Sequence, residues 1–272
     1  MKIQGWRCYN YAAIPTTPPH VLPNLEPVGN GEIWRLDGKP YLVRYTTDFD
    51  CEQATDWWYI IRRAPYNLDA MPAGKRKHIR QAEKKCEVHI IDPKDYLDEL
   101  WEVHNAAFSR YVNTKNTEEK EQFKKNLANR NDRTFWGGFD RESGKMVGYM
   151  SCGECEEYVN IYASKYHPQY LNLRVSDALH NAVMEYYLNQ RQKAYISSGE
   201  RTILHITNAQ EYKIVNFGFQ KAYCKLHIKY NKKIEWAVKL LFPFRKVISR
   251  VHVPVAQKVS AILLMEEIVR KK

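Results

Sequence analysis

At 272 residues, 44% of them hydrophobic, the chain is long enough for one large domain or two small ones with a core of their own. It has no run of about eighteen apolar residues, its opening MKIQGWRCYNYAAIPTTPP lacks the apolar centre of a secretory signal, and its six cysteines are scattered; spanning helices and a disulfide framework are disfavoured and a cytoplasmic protein is expected. The formal charge of +11 is uneven, with thirteen Lys/Arg against three Glu in residues 221–272 and a second basic cluster, KRKHIRQAEKK, at 75–85, so an anionic partner (nucleic acid, a membrane surface or a phosphate-bearing small molecule) stands beside the plainer reading of a solvated basic face.

In chain order, EIWRLDGKPYLVRYT alternates on both sides of Asp37-Gly38 and predicts a hairpin. DWWYIIRR predicts a strand, Pro65 and Pro72 bracket a linker, residues 75–85 predict a helix and EVHII a short strand. From Asp92-Pro93 a helix is expected with Leu97, Leu100, Trp101, His104, Ala107, Phe108 and Tyr111 on one face. TEEKEQFKKNLANRN predicts a more polar helix on Phe123 and Leu127. TFWGGFD, KMVGYMSCGE and YVNIYASKY then read as a three-strand antiparallel meander. A helix from Val175 to about Gln190 has Ser176 as its expected cap. AYISSG predicts a strand, a helix begins at Thr207 with Gln210 in capping-box spacing and stops at Gly218, and FQKAYCKLHIKY reads as one final strand. The tail mixes Trp236, Phe242 and Phe244 with basic residues and closes in an amphipathic helix. Such a segment suits a membrane interface or packs back on its own domain.

GxxxxGK[ST], HExxH, GxSxG and GxGxxG are all absent, which removes support from phosphate-loop nucleotidases, zincins, serine hydrolases and simple dinucleotide folds. The one Cys-x-x-Cys, Cys152 to Cys155, has no second pair for zinc and precedes a strand, so a hairpin end with two inert thiols is expected and no metal site.

The order of meander, helix, strand, helix and a last strand introduced by Asn216-Phe217-Gly218-Phe219 resembles the GNAT acyltransferase superfamily. KRKHIRQAEKK, YHPQYLNLRVSDAL, SGERTILHITNAQEYKIVNFGFQKAY and KLHIKY together look most like its Fem-related branch, which includes peptidoglycan-bridge transferases. The resemblance covers residues 67–230 and implies an α+β (mixed α/β) fold: a GNAT-like, mostly antiparallel twisted sheet flanked by helices. Around it an N-terminal β-rich extension (1–66, readable as a reduced first GNAT-like half), the transferase domain (67–230) and a basic helical tail (231–272) are expected.

In that family a glycine-rich loop commonly holds the donor pyrophosphate at a helix N-terminus; here YLNLRVS, residues 170–176, has no glycine. The helix N-terminus and its free N–H groups remain, so Arg174, Val175, Ser176 and Asn208, with Tyr162 and Ser164, are the expected donor contacts. Tyr158, Asn160, Tyr162 and Ser164 alternate onto one face of YVNIYAS, Tyr158 and Asn160 being expected on the acceptor. Tyr212 matches the place of the family's frequent tyrosine acid, with Glu154 and His167 as candidate bases.

Two readings follow. In the first the chain moves an acyl, or aminoacyl, group from an acyl-CoA-type carrier to an amine or hydroxyl of a small molecule or surface polymer, and its charge fits a role in bacterial surface-polymer or lipid modification. It would then lie in the cytoplasm or against the inner face of the membrane. In the second, a GNAT-like scaffold without the donor loop binds membrane or nucleic acid through its basic surfaces.

Overall fold

A computed structural model of the chain describes residues 1–52, 56–109, 118–203, 209–251 and 253–271. In chain order these form β1 (Trp6–Tyr9), β2 (Ala12–Pro15), α1 (Glu26–Gly29), β3 (Leu42–Thr47), β4 (Trp57–Arg63), α2 (Ala73–Lys85), β5 (Cys86–Ile91), α3 (Leu97–Phe108), α4 (Lys120–Ala128), β6 (Thr134–Asp140), β7 (Met146–Glu154), β8 (Tyr158–Tyr166), α5 (Val175–Met184), β9 (Tyr195–Glu200), α6 (Ala209–Phe217), β10 (Gln220–Tyr223), β11 (Lys225–Tyr230), α7 (Lys232–Leu241), α8 (Arg245–Ile248) and α9 (Pro254–Arg270). The α+β class expected from the sequence is the one observed. The chain divides into two compact units, Met1–Tyr59 with Glu200–Thr207 and Lys221–Lys272, and Ile60–Gly199 with Asn208–Gln220.

The first unit holds a four-stranded sheet of order β1-β2-β3-β11. β1 and β2 form a hairpin whose turn residues, Asn10 and Tyr11, both have positive φ; β2 runs parallel to β3, and β3 is antiparallel to β11. Alternation sends Ala13 and Val43 into one cluster with Trp6, Val28, Ile33 and Leu36, and Ala12, Ile14 and Leu42 into another with Leu226, Met265 and Ile268. The N-terminal strands β1, β2 and β3 therefore share a sheet with β11, which comes from residues 225–230.

Two expectations fail in this unit. No hairpin forms at Asp37-Gly38, because Glu32–Arg35 is a 3-10 turn whose Ile33, with Leu36 three residues on, drops into the core, and Leu42–Thr47 pairs with β2 and β11 instead. FQKAYCKLHIKY is two strands, since the chain leaves one sheet at Tyr223 and enters another at Lys225, with Cys224 buried between.

The second unit is built on a sheet in which β9, β8, β7, β6 and β5 are neighbours in that order, β5 to β8 being antiparallel, as the meander predicts. α3 and α4 cover one face through Leu100, Val103, Phe123 and Leu127, packed with Ile91, Phe135 and Tyr149. α5 covers the other so closely that a Cβ on Gly138 would stand 2.6 Å from Val175 Cγ2, a position only glycine fills. The start at Asp92-Pro93 is a 3-10 turn, with the Asp92 side chain accepting from the Lys94 N–H, before α3 proper. Tyr111 and the capping box at Thr207 lie outside the described residues.

Candidate active site

β8 is where the sheet changes character. Its parallel ladder with β9 has three pairs, Tyr158↔Tyr195, Val159↔Ile196 and Asn160↔Ser197, after which β8 continues unpaired with β9 to Tyr166. A fork thus opens between the two strands beyond Asn160 and Ser197. The β7 ladder shifts register beside it: Ser151 faces Ala163 but Cys152 faces Ile161, so Tyr162 is an inserted bulge residue.

The bulge breaks the expected alternation. Cross-strand partners share a face, so Asn160 and Ala163 lie with Gly153 and Ser151, on the side of α3, whereas Ser164 lies with Met150, on the side of α5. Tyr158, Asn160, Tyr162 and Ser164 do not form one row. Tyr158 is buried and stacked on Tyr195, which raises its pKa through burial; Tyr162 projects outward under the Arg133 guanidinium, 3.7 Å from the ring centroid; the Ser164 hydroxyl is buried without a partner among the described residues. Asn160 is half-buried at the last rung before the fork.

The N-terminus of α5 lies in the same unit. Arg174 precedes it with φ +58, a left-handed entry that supplies no side-chain cap; Ser176, the expected cap, is already inside the first turn. The Val175 side chain points into the core. Asp177, in the first turn, accepts from Lys75 Nζ at 2.6 Å and from the Tyr212 hydroxyl at 3.1 Å, and Ser176 Oγ lies 3.1 Å from the same phenol oxygen. The Lys75 ammonium also sits 4.1 Å from the Phe217 ring centroid. Burial pushes Tyr212 up to about 12, with Asp177 adding to the effect, so the phenol keeps its proton at neutral pH. Tyr212 and Ser176 are thus brought together, on a buried ion pair that sequence patterning could not reveal.

Lys213, the next residue of α6, is the group sequence reasoning missed. It is buried, donates to Ser198 Oγ one residue past the last β8–β9 rung, and burial lowers its pKa to about 8. Nearby His180, also buried, donates from Nδ1 to the Ser176 carbonyl at 2.7 Å and stacks on Phe217, with centroids 4.1 Å apart. Burial, with Lys213 and Lys75 adding to it, drives His180 down to about 3. A lysine in the polar stretch QEYKIVN carries no signal of burial, because α6 has only a weak amphipathic pattern.

The candidate bases are engaged elsewhere. Glu154 accepts from Arg191 and Lys193 at 2.9 Å each; burial works against its charge, but these two partners prevail and its pKa is lowered. His167, at the opposite end of β8, accepts from the Gln169 N–H and begins a 3-10 turn. Neither is brought to Tyr212. Asn208 lies outside the described residues. All six cysteines are free; Cys152 is buried, which lifts its thiol to about 12, and no group of metal-ligating side chains occurs among the described residues.

No family model matches the chain, and no curated protein matches it in sequence. Solved structures do match. L-PGS from Bacillus licheniformis is 14% identical with a TM-score of 0.53, the match covering 98% of this chain and 85% of that one. The C-terminal DUF2156 domain of a putative lysylphosphatidylglycerol synthetase from Agrobacterium fabrum is 11% identical with a TM-score of 0.55, over 87% of this chain and 82% of that one. FemX is 7% identical with a TM-score of 0.55, over 82% and 84%. At these identities the likeness is one of fold.

Proposed function

We propose that this chain, whose fold is the GNAT-like, Fem-related one, transfers an acyl or aminoacyl group from an activated carrier to an amine or hydroxyl acceptor. The observation that carries the reading is Lys213, a buried ammonium at the mouth of the β8–β9 fork. In acyl transfer the nucleophile adds to the carbonyl carbon, negative charge collects on the carbonyl oxygen, and the carrier leaves as thiolate or alkoxide that needs a proton. In this reading Lys213 faces the developing oxyanion in a dry setting, where one cation acts strongly. Tyr212, protonated at neutral pH, supplies the leaving group's proton, and the proton given up by the attacking amine or hydroxyl restores the phenol.

The carrier expected from the sequence is an acyl-CoA. The first turn of α5, where a pyrophosphate would bind, already holds the Asp177 carboxylate with Lys75 and Tyr212 closed over it. That network favours a carrier whose phosphates sit elsewhere, and with it an aminoacyl group on tRNA. The neighbour named lysylphosphatidylglycerol synthetase adds support for an aminoacyl group moving to a lipid-type hydroxyl.

The test presents the full-length protein with a panel of acyl-CoAs and, separately, with charged tRNAs, plus amine and glycerophosphate acceptors, and follows product mass. Transfer from one carrier class, abolished in Lys213→Met, is expected. Neither transfer nor a ligand-induced rise in melting temperature with either class would sink the enzyme and leave the binding-module reading.

A further inference from the structure

The C-terminal segment of the first unit turns apolar side chains outward. On α7, Trp236 and Leu240 are 78% and 71% exposed and four residues apart; Phe244, at 57%, and Val247, at 63%, follow through the next turns. The side facing the unit's own core has its own apolar set, Val238 buried with Ile234 and Leu241 half-buried. The outward stripe is therefore surplus to packing, and a contiguous exposed patch of this kind marks a contact surface.

Its surroundings are strongly cationic. Residues 231–250 contain six Lys/Arg and a single acid, Glu235, which pairs with Lys239 at 2.7 Å. Lys232, Lys233, Lys246 and Arg250 are exposed and have no ion pair among the described residues. A second copy of the chain would bring this charge against its own image, which a symmetric interface does not favour. A single-stranded nucleic acid would use the rings of Trp236 and Phe244 but gains nothing from Leu240, Val247, Val251, Val253 and Val255, all exposed as well. Aliphatic and aromatic side chains inside a basic rim match the boundary between acyl chains and anionic headgroups. No described helix is long and apolar enough to cross a membrane, so the segment would lie on the surface rather than span it.

We infer that α7 and α8 form a docking surface for an anionic lipid bilayer. Trp236, Leu240, Phe244 and Val247 enter the interface, and Lys232, Lys233, Lys246 and Arg250 face the headgroups. This surface belongs to the first unit and does not depend on the transfer chemistry proposed above.

The experiment is co-sedimentation of the full-length protein with vesicles of phosphatidylcholine alone or mixed with phosphatidylglycerol. Binding to the mixed vesicles only, weakening as salt rises, is expected. The pair Trp236→Ala and Leu240→Ala lowers the partition coefficient by at least about tenfold, since two exposed side chains lose their burial in the interface. Lys232→Glu with Lys246→Glu removes the preference for phosphatidylglycerol. These are exposed positions, so unchanged melting temperatures separate lost docking from lost folding. The inference is overturned if the protein ignores the mixed vesicles, or binds them equally well without Trp236 and Leu240. It is overturned too if those residues instead sustain a concentration-dependent dimer or salt-sensitive RNA binding in the absence of vesicle binding. Carrier-to-acceptor transfer in solution is read separately and stands or falls alone.

Discussion

Lys75 Nζ lies 2.6 Å from Asp177 Oδ1, and both side chains are less than one-tenth exposed, so a helix of the basic cluster is tied by an ion pair to the first turn of α5. A basic run that reads on sequence grounds either as an anion-binding patch or as a solvated face therefore carries one cation inward. Burial lowers the Lys75 pKa, and the Asp177 carboxylate beside it works against that shift.

Breaking this pair is expected to be asymmetric. Asp177→Ala leaves the Lys75 ammonium buried with only ring faces beside it and should destabilise the fold by about 3–5 kcal/mol. Lys75→Met leaves Asp177 with the Tyr212 hydroxyl and the N-terminal end of α5, and should be the milder change. The double variant should recover much of the loss. Urea unfolding of all four proteins, arranged as a double-mutant cycle, checks the order, and equal losses in the two single variants would contradict it.

Lys213→Met should raise stability while abolishing transfer. The folded pKa of about 8 lies below the ordinary 10.5, so the folded state holds this proton less well than the unfolded chain. At neutral pH that difference disfavours folding by about 3 kcal/mol, and the penalty disappears as pH climbs from 8 toward 10.5. The variant's advantage in urea should accordingly be largest at pH 7 and shrink above pH 8. An advantage constant across that range would mean that the gain is one of packing and not of charge.

Acid should weaken the fold through His180. Its folded pKa is about 3 and the unfolded value is 6.5, so the stabilisation is complete above 6.5 and falls as pH drops toward 3, by about 1.4 kcal/mol per unit. His104, lowered to about 4 by burial and by Lys165, adds a second share. His180→Phe keeps a ring against Phe217 but cannot take up a proton, so the slope of unfolding free energy against pH between 6 and 4.5 should drop by roughly one proton's worth. An unaltered slope would place the acid sensitivity elsewhere.

How much of this was legible in the sequence depends on the range of the contacts. Strong local patterns were readable: the Phe135–Tyr166 meander, the stripe from Leu97 to Phe108, and the chain order that implied the fold. The hairpin at Asp37-Gly38 was misread because a turn signal and alternation do not reveal that β2 and β11 are better partners for Leu42–Thr47. The row Tyr158, Asn160, Tyr162, Ser164 was misread because a bulge at Tyr162 leaves no mark in residue types. In the candidate site, Tyr212 came from resemblance, whereas Lys75 on α2 and Lys213 on α6 meet Asp177 and His180 on α5 from distant parts of the chain, beyond the reach of any periodicity.

Gly218 sets the end of α6 and can be tested alone. It has φ +66, and its neighbours Phe217 and Phe219 are fully buried on either side, with the Phe219 N–H reaching back to the Lys213 carbonyl at 3.4 Å. A Cβ there would meet nothing closer than Arg62 Nε at 3.6 Å, so space is available and the backbone angle alone is the obstacle. Only glycine takes a left-handed helix end without steric strain; asparagine tolerates it and a β-branched residue does not. Gly218→Val should therefore destabilise the protein by about 1–3 kcal/mol and Gly218→Asn by less than about 1 kcal/mol. Because Lys213 lies one turn and a half upstream, Gly218→Val should also weaken transfer through the drift of α6. Thermal melts and transfer rates on the two variants decide it: a melting temperature unmoved by valine would show that the helix end does not depend on this angle.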